Sequence, residues 1–154
     1  MSDSLTFMMG KHPAVLPAHL RFARNHLWCA PTAEGNRFGF TSYAVRLMQD
    51  VYFLDWQVNS GDDVALLEQI GHIETSKAVS DLFSPAKGKL LRFNEVVLAD
   101  PSGINVDYHG QGWLFELVGD VGHLMNVQEY LEFLESNWEK TQRMIKGKIN
   151  AGDD

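Results

Sequence analysis

Cysteine is almost missing from this chain: Cys29 stands alone among 154 residues. That excludes an intramolecular disulfide and any protein cysteine cluster for a metal, and it fits a reducing compartment. Basic residues are also scarce, with 13 Lys and Arg against 20 Asp and Glu and a formal net charge of −7. Phosphate binding needs a basic face, so nucleic acid is a poor partner, whereas docking onto a basic protein surface fits. No apolar run is long enough to cross a bilayer, so no membrane partner is expected. The N-terminus lacks the basic flank, apolar stretch and cleavage site of a secretory signal, and His12, Pro13, Pro17 and His19 interrupt its early apolar residues. These absences predict a cytoplasmic location.

About 45% of residues are apolar, enough for a sizeable core in one domain. Residues 1–20 carry helix breakers and no clear period and read as a lead-in. Residues 21–120 read as the main domain, mostly β. Arg21 to Ala30 is extended around Trp28. Glu34-Gly35-Asn36 is a turn, and Phe38 and Phe40 alternate around Gly39. Thr41 is placed to cap a short helix, Ser42 to Gln49. Val51 to Trp56, Val64 to Glu74, Ala78 to Phe83, Lys89 to Leu98 and Trp113 to Val118 read as strands or extended segments, the fourth bulged near Asn94. Asp100 to Gly112 reads as a loop. Residues 121–154 differ: Asn126 with Glu129 resembles a capping box, and Val127, Tyr130, Leu131, Leu134 and Trp138 fall at helical spacing, as a face packed on the domain would.

The histidines show no metal-ligand spacing at His12, His19, His109 or His123, and no Ser-His-Asp or Cys-His set emerges. No catalytic residue and no metal site is therefore expected, and the chain reads as a non-enzyme. One ordered pattern stands out. Gly61-Asp62-Asp63-Val64 opens a strand, Ile73-Glu74-Thr75-Ser76-Lys77-Ala78 follows, and Ser84-Pro85 with Gly88-Lys89-Leu90 closes it. Lys77 sits between two strand-like stretches, where a hairpin tip would expose a single amine to a modifying enzyme.

This stretch resembles the lipoyl and biotinyl carrier domains, which share a flattened antiparallel β-sandwich, the barrel-sandwich hybrid. Ser76 and Ala78 beside the lysine, in place of methionines, favour the lipoyl branch. The run from Glu74 to Asp81 resembles the H-protein family of the glycine cleavage system. So do His26-Leu27-Trp28, Gly39-Phe40-Thr41 with Ala44, Asp50-Val51, Asn94-Glu95 and Gly112-Trp113. The resemblance implies a carrier with lipoic acid in amide linkage to Lys77. It also implies a lipoylating enzyme that reads Glu74 and Gly88, although Gly88 has an alternative as a turn residue needing positive φ.

The resemblance further implies a cargo cleft near Asn25, His26, Leu27, Tyr43, Trp56 and Asp81. Here the pattern departs from the family. Leu27 stands where a carboxylate is usual, Tyr43 where a histidine is usual, and Trp56 follows Leu54-Asp55 where Glu-Leu-Pro is usual. An apolar, aromatic cleft would suit an uncharged sulfur adduct better than a cation. The chain is thus expected to resemble the lipoate-binding proteins of the heterodisulfide-reductase-like sulfur oxidation system. The alternatives are an H protein that carries an aminomethyl group between glycine cleavage enzymes, or an unmodified scaffold module. Leu27, Tyr43 and Trp56 read equally well as plain core residues.

Overall fold

The computed structural model describes residues 4–153, with side chains described through residue 143. Its eleven strands form three antiparallel sheets, the flattened sandwich expected from sequence.

The first sheet corrects the reading of an unpatterned lead-in. Strands β1 (Ser4–Met9) and β2 (His12–Pro17) pair in a hairpin from Ser4↔Pro17 to Met9↔His12. Gly10, at φ +63°, opens its two-residue loop. Phe7, Met9, Ala14 and Leu16 are buried, so one face alternates inward. Pro13 and Pro17 are tolerated because a two-stranded ribbon leaves half of its backbone positions outside the ladder.

The second sheet has six strands in the order β3-β4-β5-β11-β10-β7. These are β3 (Arg21–Phe22), β4 (Leu27–Pro31), β5 (Asn36–Phe40), β7 (Asp63–Val64), β10 (Gly88–Phe93) and β11 (Phe115–Gly119). The segment read as one strand from Arg21 to Ala30 is in fact two. The chain reverses between them, with His26 at φ +68° donating its N–H to the Ala23 carbonyl. The third sheet has the order β6-β8-β9, from β6 (Val51–Trp56), β8 (Gln69–Thr75) and β9 (Val79–Phe83).

Helix α1 (Ser42–Met48) begins where the sequence placed it, with Thr41 Oγ1 accepting from the Ala44 N–H at 3.2 Å. The strand expected from Lys89 to Leu98 stops at Phe93, and helix α2 (Glu95–Ala99) follows. The strand's irregularity falls between Leu90 and Arg92, just before the expected position, and Asn94 ends the strand. Its Oδ1 caps the Val96 N–H, and its Nδ2 donates to the Gln111 and Trp113 carbonyls. A short 3-10 helix, Pro101–Asn105, occupies part of the expected loop.

Helix α3 (Val127–Asp153) opens with the capping box in both directions. The Asn126 N–H donates to Glu129 Oε1 at 2.9 Å, and the Glu129 N–H to Asn126 Oδ1 at 2.8 Å. Tyr130 and Leu134 are buried, so its apolar face does pack on the domain.

Two cores result. One lies between the second and third sheets and includes Leu27, Phe38, Ile70, Ile73, Leu90 and Leu117. The other joins the β1–β2 hairpin to α3 and includes Phe7, Leu16, Phe22, Trp28, Tyr43 and Tyr130. Cys29 is buried beside the first, and burial pushes its thiol up to about 12, which fits an inert small apolar residue. The buried Glu116 carboxylate is paired, with Arg37 at 2.7 Å and with Arg92. Among the described residues, no helix is long and apolar enough to cross a membrane.

Candidate functional site

The β8–β9 hairpin carries the site. Its ladder runs from Gln69↔Phe83 to Glu74↔Val79, and the tip is Thr75-Ser76-Lys77-Ala78. Thr75 is buried and organises the tip. Its N–H donates to the Ala78 carbonyl at 2.9 Å, and its Oγ1 accepts from the N–H groups of Lys77 and Ala78 at 3.1 and 3.2 Å. The backbone of Lys77 is thereby held while its side chain is exposed. A threonine folding its hydroxyl over the next turn is a recognisable local signal that the sequence reading left without a role. The expected tip is therefore present, with its amine in solvent where an acyl-transferring enzyme can reach it.

Glu74 stands beside the tip, opposite Phe53 on β6 and Val79 on β9. Gly88 does not. It lies beyond the far end of β9, roughly 17 Å of extended chain from the tip. Its need for glycine is also not conformational. A Cβ there would meet the Val118 carbonyl oxygen at 2.1 Å, because β10 and β11 cross closely at Gly88↔Gly119.

A cleft of about 160 Å³ opens along the edge of β9. It lies between that strand, helix α1 and the β3–β4 reversal, and its lining includes Asn25, His26, Leu27, Met48, Ser80 and Asp81. Ser80 is three residues beyond Lys77, about 10 Å along an extended strand, so a long side-chain adduct can fold back into the opening. Most of the wall is apolar, with Phe40, Leu82 and Phe83 also contributing. Its polar groups are few and specific. Asn25 Nδ2 donates to the Phe83 carbonyl at 2.9 Å, which leaves Asn25 Oδ1 buried without a donor. Ser80, the partner of buried Ile73, adds a hydroxyl, while Asp81 borders the cleft from the strand edge, on the outer face with His72.

His26 borders the cleft but serves the frame. Its Nδ1 lies 2.9 Å from the Tyr130 hydroxyl, which also contacts Thr41 Oγ1 at 3.1 Å. Burial holds its pKa down at about 4, so the imidazole is neutral at pH 7. Tyr130, assigned from sequence only to a packing face, thus ties α3 to the cleft wall.

Two expected cleft residues are elsewhere. Tyr43 is 1% exposed and points into the second core, with its ring centroid 5.8 Å from Phe7 and 6.1 Å from Trp138. Ala44 and Met48, four residues apart, share the face of α1 toward the cleft, whereas Tyr43 is turned about 100° from Ala44 and enters the second core. Trp56 lies at the opposite end of β6, pairs with Gly71, and stacks on Phe93 at 4.7 Å. Of the three residues that argued for an apolar, aromatic cleft, only Leu27 lines it, and it is 2% exposed.

Comparison with known proteins agrees with this geometry. A family model described as "Glycine cleavage H-protein" matches residues 20–138. A glycine cleavage system H protein of Corynebacterium aurimucosum is 38% identical over 123 residues, covering 76% of this chain and 94% of that one. One from Aeromonas hydrophila is 36% identical over 119 residues, covering 73% and 88%. A crystal structure of a glycine cleavage system H protein from Mycobacterium marinum superposes with a TM-score of 0.68 at 32% identity, over 79% of this chain and 98% of that one.

Proposed function

This chain belongs to the glycine cleavage H-protein family, and from that premise we propose that it is a lipoyl carrier acting as a co-substrate of other enzymes. Lys77 Nζ bears the lipoyl group in amide linkage, and the cargo is the aminomethyl group passed between glycine cleavage enzymes. The observation that carries the reading is the pinned, solvent-exposed lysine beside a cleft that still holds acceptors. The lipoyl group supplies a dithiolane on a long flexible tether. The protein supplies placement: Thr75 presents the amine, and the tether keeps the cargo at high effective concentration near a docked partner. Asn25 and Ser80 line the cleft and bring polar groups to it, in part compensation for Leu27 at the usual carboxylate position. Glu74 fits recognition by the lipoylating enzyme. Gly88 fits that role less well, being remote from the tip. The setting is cytoplasmic, and neither nucleic acid nor membrane is a partner.

Leu27 favours a second reading. A leucine in place of the acid leaves one wall apolar, as an uncharged sulfur adduct for a heterodisulfide-reductase-like complex would require. The placement of Tyr43 in the second core and of Trp56 at the far end of β6 removes most of the support for that cargo. Two measurements test the proposal. Co-expression with lipoylating enzymes should add the mass of one lipoyl group, and Lys77→Ala should abolish it; an unchanged wild-type mass would leave only a scaffold module. The lipoylated chain should then support glycine decarboxylase turnover as an H protein does. Failure there, with sulfur loaded onto the arm by sulfur-oxidising enzymes, would establish the second reading instead.

A further inference from the structure

The outer face of the three-stranded sheet is built unlike an ordinary solvated surface. Phe53, Glu74 and Val79 are direct cross-strand partners and so share one face. Phe53 is 40% and Val79 64% exposed, and Tyr52, displaced by the irregularity in β6, adds a ring at 59%. The next row on that face is Asp55, His72 and Asp81, again direct partners. Three exposed apolar groups are thus framed by three carboxylates, one strand-end away from Lys77. Exposed apolar side chains gathered at a reactive amine mark a contact surface.

We propose that this face, with Tyr52, Phe53 and Val79 at its centre and Asp55, Glu74 and Asp81 around them, is the docking footprint of the enzyme that acylates Lys77. The inference rests on the carrier reading. Its occupant is chosen by reach. Enzymes that use the dithiolane meet it at the end of the tether and need not touch the hairpin. The acylating enzyme must bring its centre to Nζ itself, so the residues flanking the tip fall inside its contact area. Its recognising surface is basic around an apolar depression, by complementarity to the acidic frame. In the step served, the deprotonated Nζ attacks the carbonyl carbon of an activated lipoyl donor. The N–C amide bond forms, the bond from that carbon to the activating group breaks, and the amine proton goes to solvent. The product has lost the Lys77 charge, so the face becomes more acidic once modified.

The test is steady-state lipoylation of the purified full chain by a lipoate–protein ligase with lipoic acid and ATP. Phe53→Ser with Val79→Ser should raise the KM for the carrier at least tenfold and leave kcat within about twofold. Glu74→Gln, which keeps shape, should raise KM about threefold and weaken the dependence of KM on salt. Val118→Ser, on the six-stranded sheet and similarly exposed at 44%, should change nothing. Melting temperatures separate docking from folding, and if the double variant unfolds, Glu74→Gln alone decides. Unchanged KM in folded variants overturns the footprint while leaving the carrier intact. A wild-type chain that gains no lipoyl group overturns both. A wild-type dimer that the same substitutions dissociate would assign the face to a second copy and overturn the proposal.

Discussion

Replacing Phe7 by alanine would remove a ring that is 5% exposed and meets two others edge-on, Trp138 at 5.3 Å and Tyr43 at 5.8 Å. The ring joins three elements: β1, the first helix and the last. Large-to-small changes at buried phenylalanines cost roughly 3–5 kcal/mol, the transfer of the ring plus the cavity left behind. A two-stranded ribbon at the edge of the molecule can settle inward, which favours the lower end, so about 3 kcal/mol is expected. For a chain of this size that is a fall in melting temperature of roughly 6–12 °C. The assay is urea unfolding of wild type and Phe7→Ala followed by tryptophan fluorescence. The slope with denaturant should stay constant, because the unfolded chain exposes nearly the same surface. A loss below about 1 kcal/mol would refute the docked hairpin, and with it the claim that residues outside the family match brace the helix lining the cleft.

Two further predictions follow from single residues. His26 is held at about 4 in the folded protein, below its ordinary value of 6.5. The unfolded chain therefore binds the extra proton first as pH falls; stability is full above about 6.5 and declines toward pH 4, by at most about 3 kcal/mol from this group. NMR titration of the ring should show it neutral at pH 5.5, and a midpoint near 6.5 would contradict its burial against Tyr130. Gly88→Ala would drive a Cβ to 2.1 Å from the Val118 oxygen, so β10 and β11 must part. A loss of about 2 kcal/mol or more in urea unfolding is expected, and a neutral substitution would show that the strands are further apart than described.

Much of the site was legible in the chain because its signals are local. A threonine, a serine and a lysine between two alternating segments make a tip wherever the segments pair. Thr41 capped its helix, and Asn126 with Glu129 made its box, because those bonds span three residues. The β1–β2 hairpin was also written locally, in Gly10-Lys11 between alternating Phe7, Met9 and Ala14, Leu16. His12, Pro13 and Pro17 masked it, since breakers inside a strand are harmless only when half its backbone has no ladder partner.

What the chain by itself determined is the chemistry on offer: one amine at a turn, one lone thiol without a partner, a surplus of carboxylates, and the order of strands and helices. Which side chains face the cleft was decided only in three dimensions. Tyr43 and Ala44 are neighbours in sequence, yet the 100° step of a helix sends one to a core and the other to the opening. Leu27 lines the cleft, and Trp56 lies a strand-length away, because the ladder of β6 with β8 sets which end of that strand lies near the tip. Asn25 gained its unpaired oxygen from Phe83, 58 residues on, a contact between distant segments that no local pattern encodes.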